Sequence, residues 1–170
     1  VLTVLAEITD MPGDLEHSEL HLLTPNADQP TAIPTALSWL TGPGLYHGTF
    51  NYDTPGDNLI AGASLLPHPA GTPIATLLTE FHFVLLYRDR VVALSTLDEQ
   101  LAYEEILPLK PGEEVRGLAA DPVRRTYWVY TDQTLFELRR DNEERDVWRA
   151  YLARGKFDQA LKYAKVRKRK

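Results

Sequence analysis

No cysteine occurs anywhere in the 170 residues, which excludes a disulfide framework and any thiolate metal site within this span and agrees with an intracellular protein. Long hydrophobic runs are missing as well. Nothing approaches the roughly 18–20 apolar residues of a membrane helix, and no signal-peptide pattern opens the chain, so a soluble protein is expected. Methionine occurs once, at Met11. The opening "VLTVLAEITD" begins without Met in what reads as mid-strand, and a piece of a longer chain is expected. Basic residues are scarce over the first 139 positions, where 7 Lys and Arg face 19 Asp and Glu. That balance argues against nucleic acid as a partner. The last 31 residues invert it, with 11 basic and 5 acidic side chains, so the net charge of −6 hides a change of character near Arg139–Asn142. The closing "KVRKRK" is expected to be a solvated helix end, where cations sit favourably, or a frayed terminus, with phosphate or membrane-surface binding as the alternative.

What is present is mostly β. With 44% hydrophobic and 25% charged residues the chain can build one or two globular units. "VLTVLAEI" (Val1–Ile8), "SELHLLT" (Ser18–Thr24), "LYHGTFNY" (Leu45–Tyr52), "FHFVLLY" (Phe81–Tyr87), "RVVALST" (Arg90–Thr96), "QLAYEEI" (Gln100–Ile106), "TYWVYT" (Thr126–Thr131) and "TLFELR" (Thr134–Arg139) are short and β-branched or aromatic, with turn chemistry between them. "TPNADQPTAIP" (Thr24–Pro34) and "HPAGTP" (His68–Pro73) read as surface loops. Tight turns recur at Gly42-Pro43-Gly44, Arg88-Asp89 and Asp132-Gln133, each between two apolar strands. A period of about 40–45 residues with several strands per unit marks β-propeller blades, with a sandwich of meanders as the alternative. The first 139 residues supply about three blades of the four to eight that close a ring, so further blades or a partner standing in for them are expected.

The spacing changes after Leu138. Val147, Trp148, Tyr151 and Leu152, then Phe157, Ala160, Leu161 and Ala164, recur at three and four residues, which predicts two helices. Asp141 or Asn142 is placed to cap the first, with Glu143 and Glu144 in its first turn. Gly155 is placed to end it in a left-handed conformation. A short helix pair cannot bury its apolar face alone, and stacked pairs build α-solenoids. The expected organisation is therefore residues 1–139 as C-terminal propeller blades and residues 140–170 as the start of an α-solenoid. Val147, Trp148, Tyr151, Leu152, Phe157 and Leu161 are the candidate junction residues. Trp148→Asp is expected to loosen the junction, read as lowered thermal stability and raised protease sensitivity between residues 139 and 155.

Candidate chemistry is thin. His17 and His21 lie four apart, but "HSELHLLT" alternates as a strand and offers no third ligand. "TGPGLYHG" lacks the Lys and Ser/Thr of a phosphate loop. Glu104-Glu105 and Glu113-Glu114 are adjacent pairs that point to opposite faces in a strand. Ser18, Ser38, Ser64 and Ser95 sit in no nucleophile elbow. Neither an enzyme nor a bound cofactor or metal is expected.

"TEFHFVLLYRDRVVALSTLDEQLAYEE", "SWLTGPGLYHG" and "NEERDVWRAYLARGKFDQALKYAK", spread from about Leu37 to Lys165, resemble the Pep-three, or deep orange, family of vacuolar protein sorting proteins. The resemblance implies a propeller, then a long α-solenoid, then a zinc-binding RING-type domain that is not part of this span. It also implies a non-catalytic core subunit of the HOPS and CORVET tethering complexes, acting in vesicle docking and SNARE-mediated fusion. Its implied partners are other class C vacuolar protein sorting subunits, a Sec-one/Munc-eighteen-type protein and, through the complex, Rab GTPases and SNAREs. Its implied location is cytoplasmic and peripheral on late endosome and vacuole or lysosome membranes. The alternatives are a coat-type or nuclear-pore-type propeller–solenoid scaffold and a fragment of a propeller enzyme.

Overall fold

Three equivalent turns organise the β part of the chain. Residues 41, 87 and 131 each open a turn by donating a backbone N–H to the carbonyl three residues on: Thr41 to Gly44 at 2.9 Å, Tyr87 to Arg90 at 2.8 Å and Thr131 to Thr134 at 2.9 Å. Thr41 and Thr131 add their hydroxyls to the same carbonyls. The computed structural model describes residues 10–12, 16–53 and 59–165. The strand expected at Val1–Ile8 and the basic run at 166–170 lie outside the described residues.

Each turn joins the second and third strands of an antiparallel sheet. The first sheet runs in the order β1 (Leu20–Leu23), β2 (Ala36–Leu40), β3 (Gly44–Phe50), β4 (Ile60–Pro67). The second runs β5 (Ala75–Leu78), β6 (His82–Leu86), β7 (Arg90–Ser95), β8 (Leu101–Ile106). The third has three strands among the described residues: β9 (Val115–Asp121), β10 (Thr126–Thr131) and β11 (Leu135–Leu138). The first strand of the middle sheet, β5, touches both β1 and β9, as in blades set around a common axis. The fold is mainly β, with propeller blades followed by two C-terminal helices, α1 (Val147–Ala153) and α2 (Phe157–Lys165).

Burial follows from the middle sheet having a neighbour on each face. Phe83, Leu85, Tyr87, Val92 and Leu94 pack with Leu40 and Leu45 of the first sheet. Ala75, Leu86 and Val91 pack with Val129 of the third. The two sets alternate along β6 and β7 because successive strand side chains point to opposite faces. Four strands escaped the list of sequence candidates. "ALSWL", "IAGASLLP", "ATLL" and "VRGLAAD" are short or built on Ala and Gly, so they carry no β-branched alternation.

One half-buried carboxylate ties the first sheet to the second, and one buried carboxylate braces the third. Glu19, just before β1, accepts the Thr76 N–H of β5 at 2.7 Å and the Thr76 hydroxyl at 3.2 Å. His17 and His21, four residues apart in sequence, both lie on this carboxylate, at 2.7 and 3.2 Å. Glu113 takes the Thr131 hydroxyl and the Lys110 N–H and so ties the β10–β11 turn to the chain entering β9, while Glu114 is exposed. Gly44 fits the first hairpin because a Cβ there would lie 2.3 Å from the Leu66 carbonyl oxygen. Since the obstacle is backbone, Gly44→Ala should lower stability by about 1–3 kcal/mol. An unchanged melting temperature would contradict this packing.

Candidate functional site

The segment between the last strand and the helices does not enter a helix at Asp141 or Asn142, as the capping pattern had promised. It runs as turns to Asp146, and α1 starts at Val147 behind an Asp146 that makes no side-chain cap bond. The cause is local. Asn142 is left-handed, with φ 57°, a conformation that no helix can propagate through. The turns are instead closed by Arg145 N–H to Asn142 at 2.9 Å and Val147 N–H to Glu144 at 3.4 Å. Gly155, with φ 70°, does end the first helix in the left-handed conformation its sequence position suggested.

Reversal at Asn142 aims Glu143 back at the sheets. One carboxylate oxygen accepts from the Thr79 hydroxyl and the Phe81 N–H, the latter at 3.3 Å, and lies 3.1 Å from His82 Nδ1. The other pairs with Arg140 at 3.0 Å, and the Arg140 guanidinium stands 5.9 Å from the centroid of the Tyr127 ring on β10. A single carboxylate, with its side chain 8% exposed, therefore joins the β5–β6 turn, the third sheet and the approach to the helices. Burial opposes its charge, but the hydrogen bonds from His82 and Thr79 and the charge of Arg140 outweigh that and hold its pKa below the usual carboxylate range.

Aromatic contacts complete the junction. Buried Phe81 meets Tyr163 of α2 edge to face at 5.5 Å, and Tyr163 stacks on Tyr151 of α1 at 5.6 Å. Burial, then the nearby Glu80 carboxylate, pushes both phenols up. Of the six residues chosen from sequence, Val147 is buried, and Trp148 and Tyr151 are half-buried. The Trp148 indole N–H is enclosed with no hydrogen-bond partner among the described residues. Leu152, Phe157 and Leu161 are turned to solvent, at 47%, 67% and 55% exposure. The α2 sequence carries two apolar stripes. The one facing inward is Ala160, Tyr163 and Ala164, while Phe157 and Leu161 form an exposed one. Sequence reasoning missed Glu143, Arg140, Phe81 and Tyr163 as junction residues.

Together these contacts hold the chain entering α1 and the Tyr163 face of α2 against the β5–β6 turn. No group of three or more His, Asp or Glu suited to a metal occurs among the described residues, and none of their helices is long and apolar enough to cross a membrane.

The carboxylate fasteners give the fold an acid limit. In Glu19, hydrogen bonds from His21, His17 and Thr76 overcome burial, and in Glu113 the Thr131 hydroxyl leads, so that both are lowered to about 2 from 4.5. Glu143 shifts in the same direction. A folded-state pKa below the unfolded one means that the unfolded chain takes up protons first as pH falls. The stability these groups contribute is intact above pH 4.5 and is lost as pH drops from there towards about 2. Melting temperature should stay level from neutrality to about pH 5 and fall steeply below it. A level profile reaching about pH 3 would contradict the assignment.

Comparison with known proteins gives a consistent picture. The family model described as the Pep3/Vps18/deep orange β-propeller domain matches residues 3–139. The vacuolar protein sorting-associated protein 18 homolog of Danio rerio is 31% identical over 170 residues, covering 96% of this chain and 17% of its own length. That of Drosophila melanogaster is 30% identical over 164 residues, covering 89% and 16%. Vacuolar sorting protein 18 of Arabidopsis thaliana is 28% identical over 159 residues, covering 84% and 16%. The chain thus spans about one sixth of the length of the curated relatives it matches.

Proposed function

Because the chain belongs to the Pep3/Vps18/deep orange β-propeller family, we propose that it is a non-catalytic part of a vacuolar protein sorting subunit, one that acts in HOPS- and CORVET-type membrane tethering before SNARE-mediated fusion. In this reading residues 1–139 are propeller blades, and residues 140–170 begin an α-solenoid that builds the core of the complex. The partners are other class C vacuolar protein sorting subunits and a Sec-one/Munc-eighteen-type protein, with Rab GTPases and SNAREs engaged through the assembly. The location is peripheral, on the cytoplasmic side of late endosomal and vacuolar or lysosomal membranes.

The Glu143 junction is the observation that carries the proposal. A tether transmits geometry, and a buried carboxylate with partners on the β5–β6 turn and on Arg140 gives the helices one exit direction. The exposed Leu152, Phe157 and Leu161 support a solenoid continuing from this face, since stacked helix pairs bury such stripes against their neighbours. The exposed Leu20 of the first sheet, in register with Trp39, Tyr46 and Leu65, supports a preceding blade packed on that face. To test the reading, the tagged chain and its Phe157→Asp/Leu161→Asp variant are used to capture proteins from a eukaryotic lysate. The expected result is recovery of tethering subunits by the parent chain and their loss with the variant. Equal recovery would move the contacts onto the blades, and recovery by neither would overturn an assembly role for this span.

A further inference from the structure

Between the first two sheets, beside the turn that links α1 to α2, lies an open cleft of about 610 Å³ among the described residues, within the roughly 300–1,000 Å³ of ligand-binding clefts. We propose that this cleft is a docking groove for an extended peptide segment that carries apolar side chains next to lysine or arginine. Its floor is apolar, with Leu37, Leu78 and Phe83 among the lining residues. Its rim is acidic. Glu80 follows β5, and Asp98 and Glu99 sit in the turn between β7 and β8, while Arg154 supplies one guanidinium from the helix turn. Neither Glu80 nor Asp98 has an ion pair among the described residues, so the rim keeps a surplus of negative charge that a cationic segment would neutralise.

Two backbone irregularities face the same space. Glu99 is a non-glycine residue at φ 60°, a conformation that costs about 1–2 kcal/mol and persists where surroundings impose it. Its carboxylate is held over the floor by His47 Nε2 at 3.0 Å, and the His47 ring lies 4.6 Å from that of Phe83. On the opposite wall, β4 bulges against β3. The register passes from His47↔Ser64 to Thr49↔Ala61, which leaves Gly62 and Ala63 without a facing residue of their own. A Cβ at Gly62 would meet nothing within 4 Å, so a second chain has room to approach that backbone. An apolar floor selects buried side chains, an acidic rim selects Lys or Arg beside them, and an open, bulged wall admits main chain. Anionic lipid and nucleic acid are disfavoured by the same charge.

The test uses the whole chain and two end-blocked, fluorescently labelled peptides of equal length, Leu-Lys-Leu-Lys-Leu and Leu-Glu-Leu-Glu-Leu, followed by anisotropy. The lysine peptide should bind saturably, with affinity that falls as salt is added, and the glutamate peptide should bind at least about tenfold more weakly. Asp98→Asn/Glu99→Gln keeps side-chain shape and hydrogen-bonding capacity and should weaken the lysine peptide about tenfold. Ser64→Trp, at an exposed position on the bulged wall, should abolish binding while melting and circular dichroism stay unchanged. Wild-type affinity in the folded Ser64→Trp chain, equal affinity for both peptides, or no saturable binding of the lysine peptide would each overturn the proposal. None of these outcomes depends on the tethering role, which the lysate experiment addresses separately.

Discussion

Replacement of Glu143 by alanine should release the helices from the sheets while leaving the sheets themselves folded. The substitution removes the carboxylate that meets the Thr79 hydroxyl, the Phe81 N–H, His82 Nδ1 and the Arg140 guanidinium together. It leaves a guanidinium and several donors in a partly dry site. Breaking a buried ion pair on one side costs about 3–5 kcal/mol. Arg140 and His82 keep some solvent contact, at 27% and 21% side-chain exposure, so a loss of about 3 kcal/mol of docking free energy is expected. Amide hydrogen exchange should accelerate in α1 and in the 139–146 turns, and trypsin should cut there at Arg140 and Arg145. The inner strands should change little, because Leu85 and Leu86 belong to the apolar clusters between the sheets and none of Thr79, Phe81, His82 and Arg140 does. Glu143→Gln should fall between the two, since an amide oxygen still accepts from Thr79 and Phe81 but does not attract Arg140. Unaltered exchange across α1 in the alanine variant would show that the aromatic contacts of Tyr163 alone hold the helices.

The blade repeat and the helix pair were legible in the sequence for a simple reason: each is written in local chemistry. Turn residues at 42–44, 88–89 and 132–133 can only link adjacent strands, and all three do so at the same place in their sheets. Spacings of three and four residues after Leu138 mark helices whatever those helices touch. The junction was not legible, because it depends on where distant elements meet. Glu143 is one carboxylate in "RRDNEERD", and nothing distinguishes it from Glu144 until Asn142 turns left-handed and points it at Thr79. The inward face of α2 was equally hidden. Phe157 and Leu161 are larger and more apolar than Ala160 and Ala164, yet the small residues let α2 approach α1, and Tyr163 alone supplies a ring that reaches Phe81. Size favoured the wrong stripe because the sequence does not say which side has a neighbour.

Leu85 and Leu86 offer the sharpest check that the middle blade is held from both sides. They are consecutive, 2% and 0% exposed, and belong to different clusters: Leu85 packs with Leu40 and Leu45 of the first sheet, Leu86 with Val129 of the third. Leu85→Ala and Leu86→Ala should each cost about 3–4 kcal/mol, as transfer and cavity terms add for a leucine with no solvent route. The losses should appear in different places. The first should speed exchange in β2 and β3, and the second in β9 and β10. Neighbouring residues usually couple, but these two face away from each other across the sheet and share no partner, so the double variant should lose nearly the sum. Set against a total stability of about 5–15 kcal/mol for a domain, a loss of about 6–8 kcal/mol would exhaust the stability of any chain in the lower part of that range. If instead Leu86→Ala disturbed β2 and β3 as strongly as Leu85→Ala does, the sheets would be packing as one undivided core, and the stacking of separate blades would be the wrong description.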